Sequence, residues 1–160
     1  MLLEIILITG AIATLLTLTI SCKKESTKES QISVPNFLDC YHSQTWDSTF
    51  VANKLIGTWK WKEQSCMNSN RMAGDNNVVK VTFKSTGIFA ITENSNVVKL
   101  GNWKIKMEGS NFWGIDSTLF ELEIDEPNNF LNGVILLCGN QVLFSGSYAD
   151  GCNTLFDKEE

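Results

Sequence analysis

In 160 residues the chain has one histidine, His42, and one arginine, Arg71. It contains no glycine-rich phosphate loop, no HExxH and no GxSxG element, so the patterns that carry phosphoryl transfer, zinc peptidase and serine hydrolase chemistry are missing. No serine or cysteine is marked as a nucleophile for His42, which reads as a surface or packing residue. Cys40-Tyr41-His42 puts two zinc-ligand types together, but the cysteine spacing matches no common zinc pattern. Neither metal nor other cofactor is expected. Glu121 and Glu123 form a carboxylate pair of the kind glycosidases use, yet alternation with Phe120, Leu122 and Ile124 turns both to solvent. Asp125-Glu126 precedes Pro127 and belongs to a turn. The formal charge is −5 with both signs interspersed; without a basic stripe to neutralise phosphates, no nucleic-acid partner is expected. The chain reads as non-enzymatic.

What is present begins at the N-terminus. An apolar run from Leu2 to Ile20 ends in Thr19-Ile20-Ser21-Cys22, and Lys23-Lys24-Glu25 follows. The segment Ile5 to Ile20 falls short of the roughly 20 residues that cross a bilayer comfortably and closes on small residues, which fits a removed leader. The arrangement resembles a bacterial lipoprotein signal, in which the leader is cut before the cysteine and the cysteine is acylated. Two features depart from that pattern: Thr19 stands where leucine is usual, and Glu4 stands where the n-region is usually basic. The resemblance implies a signal peptide over residues 1–21 and membrane attachment through acylated Cys22. It also implies a place in the cell envelope, on the outer membrane, facing the periplasm or the cell surface; Lys23 after the cysteine, not aspartate, favours the outer membrane. Residues 22–36 read as a flexible tether, because Lys, Glu, Ser and Thr dominate to about Gln31 and cannot bury enough apolar surface to order the segment. Residues 37–160 are enough for one domain with a core.

Within that domain the period is two, interrupted by turn residues every eight to twelve positions or so, which predicts an antiparallel all-β fold. Strands are expected over Leu55 to Cys66, Val78 to Lys84, Gly87 to Thr92, Val97 to Lys106, Thr118 to Asp125, Leu131 to Cys138 and Gln141 to Tyr148, with a short piece at Asn153 to Phe156. Ser85-Thr86-Gly87 and Gly139-Asn140 are hairpin turns. Helix-period stretches are nearly absent, so no helical layer is available to cover an apolar sheet face. Closure into a barrel of about eight strands removes both the bare face and the bare edges.

Two stretches carry a family resemblance. Leu55-Ile56-Gly57-Thr58-Trp59-Lys60-Trp61 is similar to the glycine-x-tryptophan opening strand of lipocalins, and Ser147 to Phe156 is similar to the ending of Bacteroidetes lipocalin-like lipoproteins. Gly101-x-Trp103 and Gly133-x-Ile135 fall between them in family order. The resemblance implies an up-and-down lipocalin-like barrel. The helix after the barrel in true lipocalins has no room here, and the arginine that packs on their first tryptophan is missing; Arg71 is placed in a loop and Lys158 is at best a partial substitute.

Cys40, Cys66, Cys138 and Cys152 are an even set, which in an exported domain means two disulfides with three pairings. If the Leu55 strand closes the barrel against the Gln141 strand, Cys66 meets Cys138 and Cys40 meets Cys152, and that pairing is expected. For function two readings stand. An eight-stranded barrel is just wide enough for one small hydrophobic ligand, walled by Trp59, Trp61, Val81, Phe83, Phe89, Trp103, Phe120, Leu122 and Phe144, with Met67 to Asn77 as a lid. Alternatively those side chains plug the interior, and a monomeric module serves the envelope structurally or through protein contacts, with Phe112-Trp113-Gly114 as a rim contact.

Overall fold

The computed structural model describes residues 32–74, 76–108, 118–146 and 151–160. Among the described residues two short helices, α1 (Val34–His42) and α2 (Ser48–Leu55), precede nine strands: β1 (Gly57–Cys66), β2 (Ser69–Met72), β3 (Val79–Phe83), β4 (Ile88–Glu93), β5 (Asn96–Glu108), β6 (Leu119–Ile124), β7 (Val134–Cys138), β8 (Gln141–Ser145) and β9 (Cys152–Lys158). All pairings are antiparallel, in the order β2-β1-β3-β4-β5-β6-β7-β8-β9, and β1 also pairs with β9. That last pairing closes an eight-stranded barrel, with β2 as an extra strand on the far end of β1. The expected barrel is therefore the observed one, with both expected hairpins in place at Gly87 and at Gly139-Asn140.

The two helices were not expected. α1 begins inside the stretch read as tether, with Pro35 in its first turn and Phe37, Leu38 and Tyr41 on its buried face. Proline there loses no helical hydrogen bond, and the i, i+4 spacing of Phe37 and Tyr41 makes one apolar stripe. α2 starts at Asp47, whose carboxylate accepts from Phe50 N at 2.8 Å as an N-cap. Its Val51 and Leu55, one turn apart, are fully buried. α1 packs against β7, and α2 packs against β5 at the end of the barrel where β1 begins. Tyr41 and Trp46 stack at 4.7 Å, and Trp46 meets Phe50 edge-on at 5.2 Å, so an aromatic ladder ties the helices together.

Two disulfides are present, but the pairing differs from the expectation: Cys40 joins Cys138 and Cys66 joins Cys152. The reason is which strand closes the barrel. β9, expected only as a short terminal piece, is a full strand between β8 and β1, so Cys66 stands directly opposite Cys152. Cys138, at the β7 end of the β7–β8 hairpin, lies instead under α1, which carries Cys40. The Met67 to Asn77 lid is corrected too: it contains β2, whose residues Ser69 to Met72 are paired to β1 from Cys66 back to Glu63. Arg71 is thus on a strand and not in a loop.

Candidate functional site

The nine side chains expected to wall the barrel are all buried. Register explains why they share one face. Trp59 stands opposite Val81, and Phe83 opposite Phe89. Trp61 stands opposite Phe156, which stands opposite Val142 on β8. The rings meet in the interior: Phe83 lies 5.2 Å from Trp103 and 6.4 Å from Phe144, and Phe144 lies 5.8 Å from Phe156. Phe83 is on β3 and Phe144 on β8, with β1 and β9 between them, so their contact crosses the barrel. Phe156, a member of this cluster, is one the sequence reading did not place in the wall.

One end of the interior is shut by α2 and the other by the β6–β7 loop. In that loop Phe130 meets Trp61 edge-on at 5.4 Å and Leu131 is buried. The irregularity between Trp61 and Glu63 in the β1–β9 pairing sets Gln64 opposite Thr154. Its amide donates to Thr154 Oγ1 at 3.2 Å and to Asn129 O at 2.9 Å, fastening the loop to the barrel. The loop is also pinned at its start. Asp125 accepts from Asn102 N and Asn102 Nδ2, both at 2.8 Å, and these bonds hold its carboxyl below the usual aspartate range.

The three interior tryptophans differ in one respect. Trp59 Nε1 donates to Leu55 O at 2.6 Å, and Trp103 Nε1 donates to both Lys84 O and Ile88 O at 3.2 Å. Trp61 Nε1 is buried and meets no acceptor among the described residues. A buried donor left unmade costs about 1–3 kcal/mol, and indole is a donor only.

Lys158 does more than the sequence reading allowed. Its ammonium lies 5.0 Å from the Trp59 ring centroid and donates to Lys54 O at 2.8 Å, tying β9 to the end of α2. Two of the four carbonyls left open at this helix end are thereby satisfied by side chains, Lys54 O by Lys158 and Leu55 O by Trp59. Clefts on the outside include one of about 410 Å³ between α2 and β5, bounded by Ala52, Ile56, Trp103 and Ile105, and one of about 280 Å³ at Asn102, Trp103 and Asp125.

Glu121 and Glu123 stand opposite Lys106 and Lys104 in the β5–β6 register, and Glu123 pairs with Lys104 at 2.9 Å. These are cross-strand charge pairs on a solvent-facing side of the sheet. His42 is exposed at the end of α1, edge-on to Tyr41. No group of three or more metal-ligating side chains occurs among the described residues. Cys22 and Phe112-Trp113-Gly114 lie outside the described residues.

Fold and interior together define a closed antiparallel β-barrel of the lipocalin-like kind, with a stapled helical cap. No family model, curated protein or solved structure matches this chain.

Proposed function

We propose that this protein is a membrane-tethered, non-enzymatic lipocalin-like barrel that binds a small, mostly apolar molecule carrying a hydrogen-bond acceptor. Trp61 carries the reading. Its N–H is a buried donor with no acceptor among the described residues, set in an apolar wall where its ring meets Phe130 and stands in register with Phe156. An apolar lining with a few fixed polar groups is how small-molecule sites obtain both affinity and orientation. Tethering rests on Cys22, through the likeness of residues 1–25 to a lipoprotein signal; the place is the outer membrane, facing the periplasm or the cell surface.

The cross-barrel contact of Phe83 with Phe144 favours a second reading, a filled barrel acting as an envelope or protein-interaction module. Native mass spectrometry of the full chain, released from a nonionic detergent after expression with export, separates the two. A retained apolar compound, lost in a Trp61→Phe variant of normal stability, supports the carrier. A bare protein that takes up nothing from a lipid extract supports the filled barrel and removes the carrier.

A further inference from the structure

At the α2 end of the barrel the chain brings two lysines to one cavity. Lys54, in the last turn of α2, and Lys158, at the end of β9, line one cavity of about 110 Å³ with Gln44, Asn140, Trp46 and Trp59. Each cation is steadied by an aromatic face, Lys158 by Trp59 and Lys54 by Phe50 at 5.4 Å. The position of Lys158 is fixed further by its bond to Lys54 O and by its backbone N–H, which donates to Asn140 O at 2.7 Å.

No carboxylate lies within 4.0 Å of either ammonium among the described residues. The acids flanking Lys158 are engaged elsewhere: Asp157 with Lys62 at 3.1 Å and with Gln141, and Glu159 with Lys80 at 2.7 Å. The carbonyl end of α2 contributes a partial charge of about −0.5, which offsets about half of one of the two cations. Burial and the neighbouring Lys54 make Lys158 give up its proton more readily than an ordinary lysine. The site therefore holds an excess of positive charge in a concave, partly dry setting, and an ammonium has three donors of which Lys158 uses one on Lys54 O. The amides of Gln44 and Asn140 at the same cavity are further donors.

We infer that this cavity binds a small phosphate-type oxyanion, held by the ammonium groups of Lys54 and Lys158 with the Gln44 and Asn140 amides. Its source is either free inorganic phosphate or the phosphomonoester head of a lipid. The site is separate from the Trp61 region, and neither reading depends on the other.

The test is a titration of the full chain in nonionic detergent with inorganic phosphate, ionic strength being held constant with sodium chloride, followed by the Trp46 and Trp59 indole and the Gly139 and Lys158 backbone signals. Saturable shifts confined to these groups are expected, with affinity reduced about tenfold or more by Lys54→Gln, since charge-assisted bonds are the strong ones. Lys54 is exposed on α2, and Gln44→Ala, expected to weaken binding by a smaller factor, serves as a second variant outside any core contact. Repeating the titration with dihexanoyl phosphatidic acid identifies the source: tighter binding than inorganic phosphate assigns a lipid head, equal or weaker binding assigns free phosphate. Absence of saturable shifts with both probes, or shifts untouched by Lys54→Gln, overturns the inference.

Discussion

Lys158 lies against the Trp59 ring and donates to Lys54 O, so a single side chain from β9 fastens β1 and the C-terminal end of α2. A cation–π contact contributes roughly 0.5–2 kcal/mol according to how dry it is, and a cation at a helix C-terminus roughly 0.3–1 kcal/mol more. Lys158→Ala is expected to lose about 1–3 kcal/mol in urea unfolding followed by tryptophan fluorescence, with Lys158→Arg retaining most of it. An alanine variant as stable as the parent would remove the latch.

Alkaline pH is expected to unfold the protein in part through Tyr41. Burial raises its pKa above the ordinary 10.0. The unfolded chain therefore loses this proton near pH 10 while the folded chain keeps it, so the contribution is fully present below pH 10 and is lost as pH rises beyond it. Lys158 acts in the opposite direction: its pKa is lowered from 10.5, so its contribution grows as pH rises towards that value. Comparing the parent with Tyr41→Phe in denaturant titrations from about pH 9 to 11.5 cancels the lysine term, and the variant should show the shallower decline.

Two glycines are expected to refuse alanine. At Gly133, φ is +98° and an added Cβ would meet Ser145 O at 2.1 Å. At Gly101 it would meet Asp125 Oδ1 at 2.5 Å and the Phe89 ring at 2.6 Å. Gly133→Ala combines a strained backbone with an immovable carbonyl and should cost about 3 kcal/mol or more; Gly101→Ala, whose neighbours are side chains, should cost less. Thermal melts of both variants check the order.

Peptide mapping of the non-reduced protein should recover Cys40 with Cys138 and Cys66 with Cys152. Each bridge spans a long stretch of chain, 98 and 86 residues. Replacing either pair by alanine should cost roughly 2–5 kcal/mol. Loss of the first is expected to free α1 from β7 while the barrel persists, seen as protease cleavage confined to the segment before α2.

Trp61→Phe removes the indole N–H from a position where no group among the described residues accepts it. If the interior is filled, the stability lost with ring volume is offset by relief of about 1–3 kcal/mol for the unmade bond, and the melting point should barely change. If a ligand supplies the acceptor, the variant should lose the added stability that bound ligand confers. Melts with and without a lipid extract distinguish the two.

The barrel was legible because alternation is strict where one face is buried: Val79, Val81 and Phe83 on β3 and Leu122 between Glu121 and Glu123 on β6 leave little choice of face. The same pattern located the nine buried wall residues, and the glycines at 101 and 133 stood out for a reason the structure supplies as close backbone or ring approach. The helices escaped because each is two turns long, too short for periodicity to rise above its surroundings, although Pro35 and Asp47 mark their starts. On β1, simple alternation from Trp59 and Trp61 puts Gln64 outside; the pairing irregularity before Glu63 lets Glu63 and Gln64 both be buried. The disulfide pairing was missed for a topological reason. It depends on whether Cys152 to Lys158 makes a full strand, and that strand's value lies in its two neighbours, not in its own seven residues. Lys158 stood in the sequence only as a partial substitute for the missing arginine on the first tryptophan; its bond to Lys54 O had no sequence signal.

Because β9 pairs with β8 on one side and β1 on the other, the chain stays an open sheet until its residues 152–158 are in place. Closure joins segments about a hundred residues apart, so local order cannot complete the fold early and the closing step is entropically slow. Until then the sheet has two bare edges, exposed to mispairing with its neighbours until one short strand shuts it. The hazard lasts until β9 docks, and the bond between Cys66 and Cys152 afterwards keeps the seam from reopening.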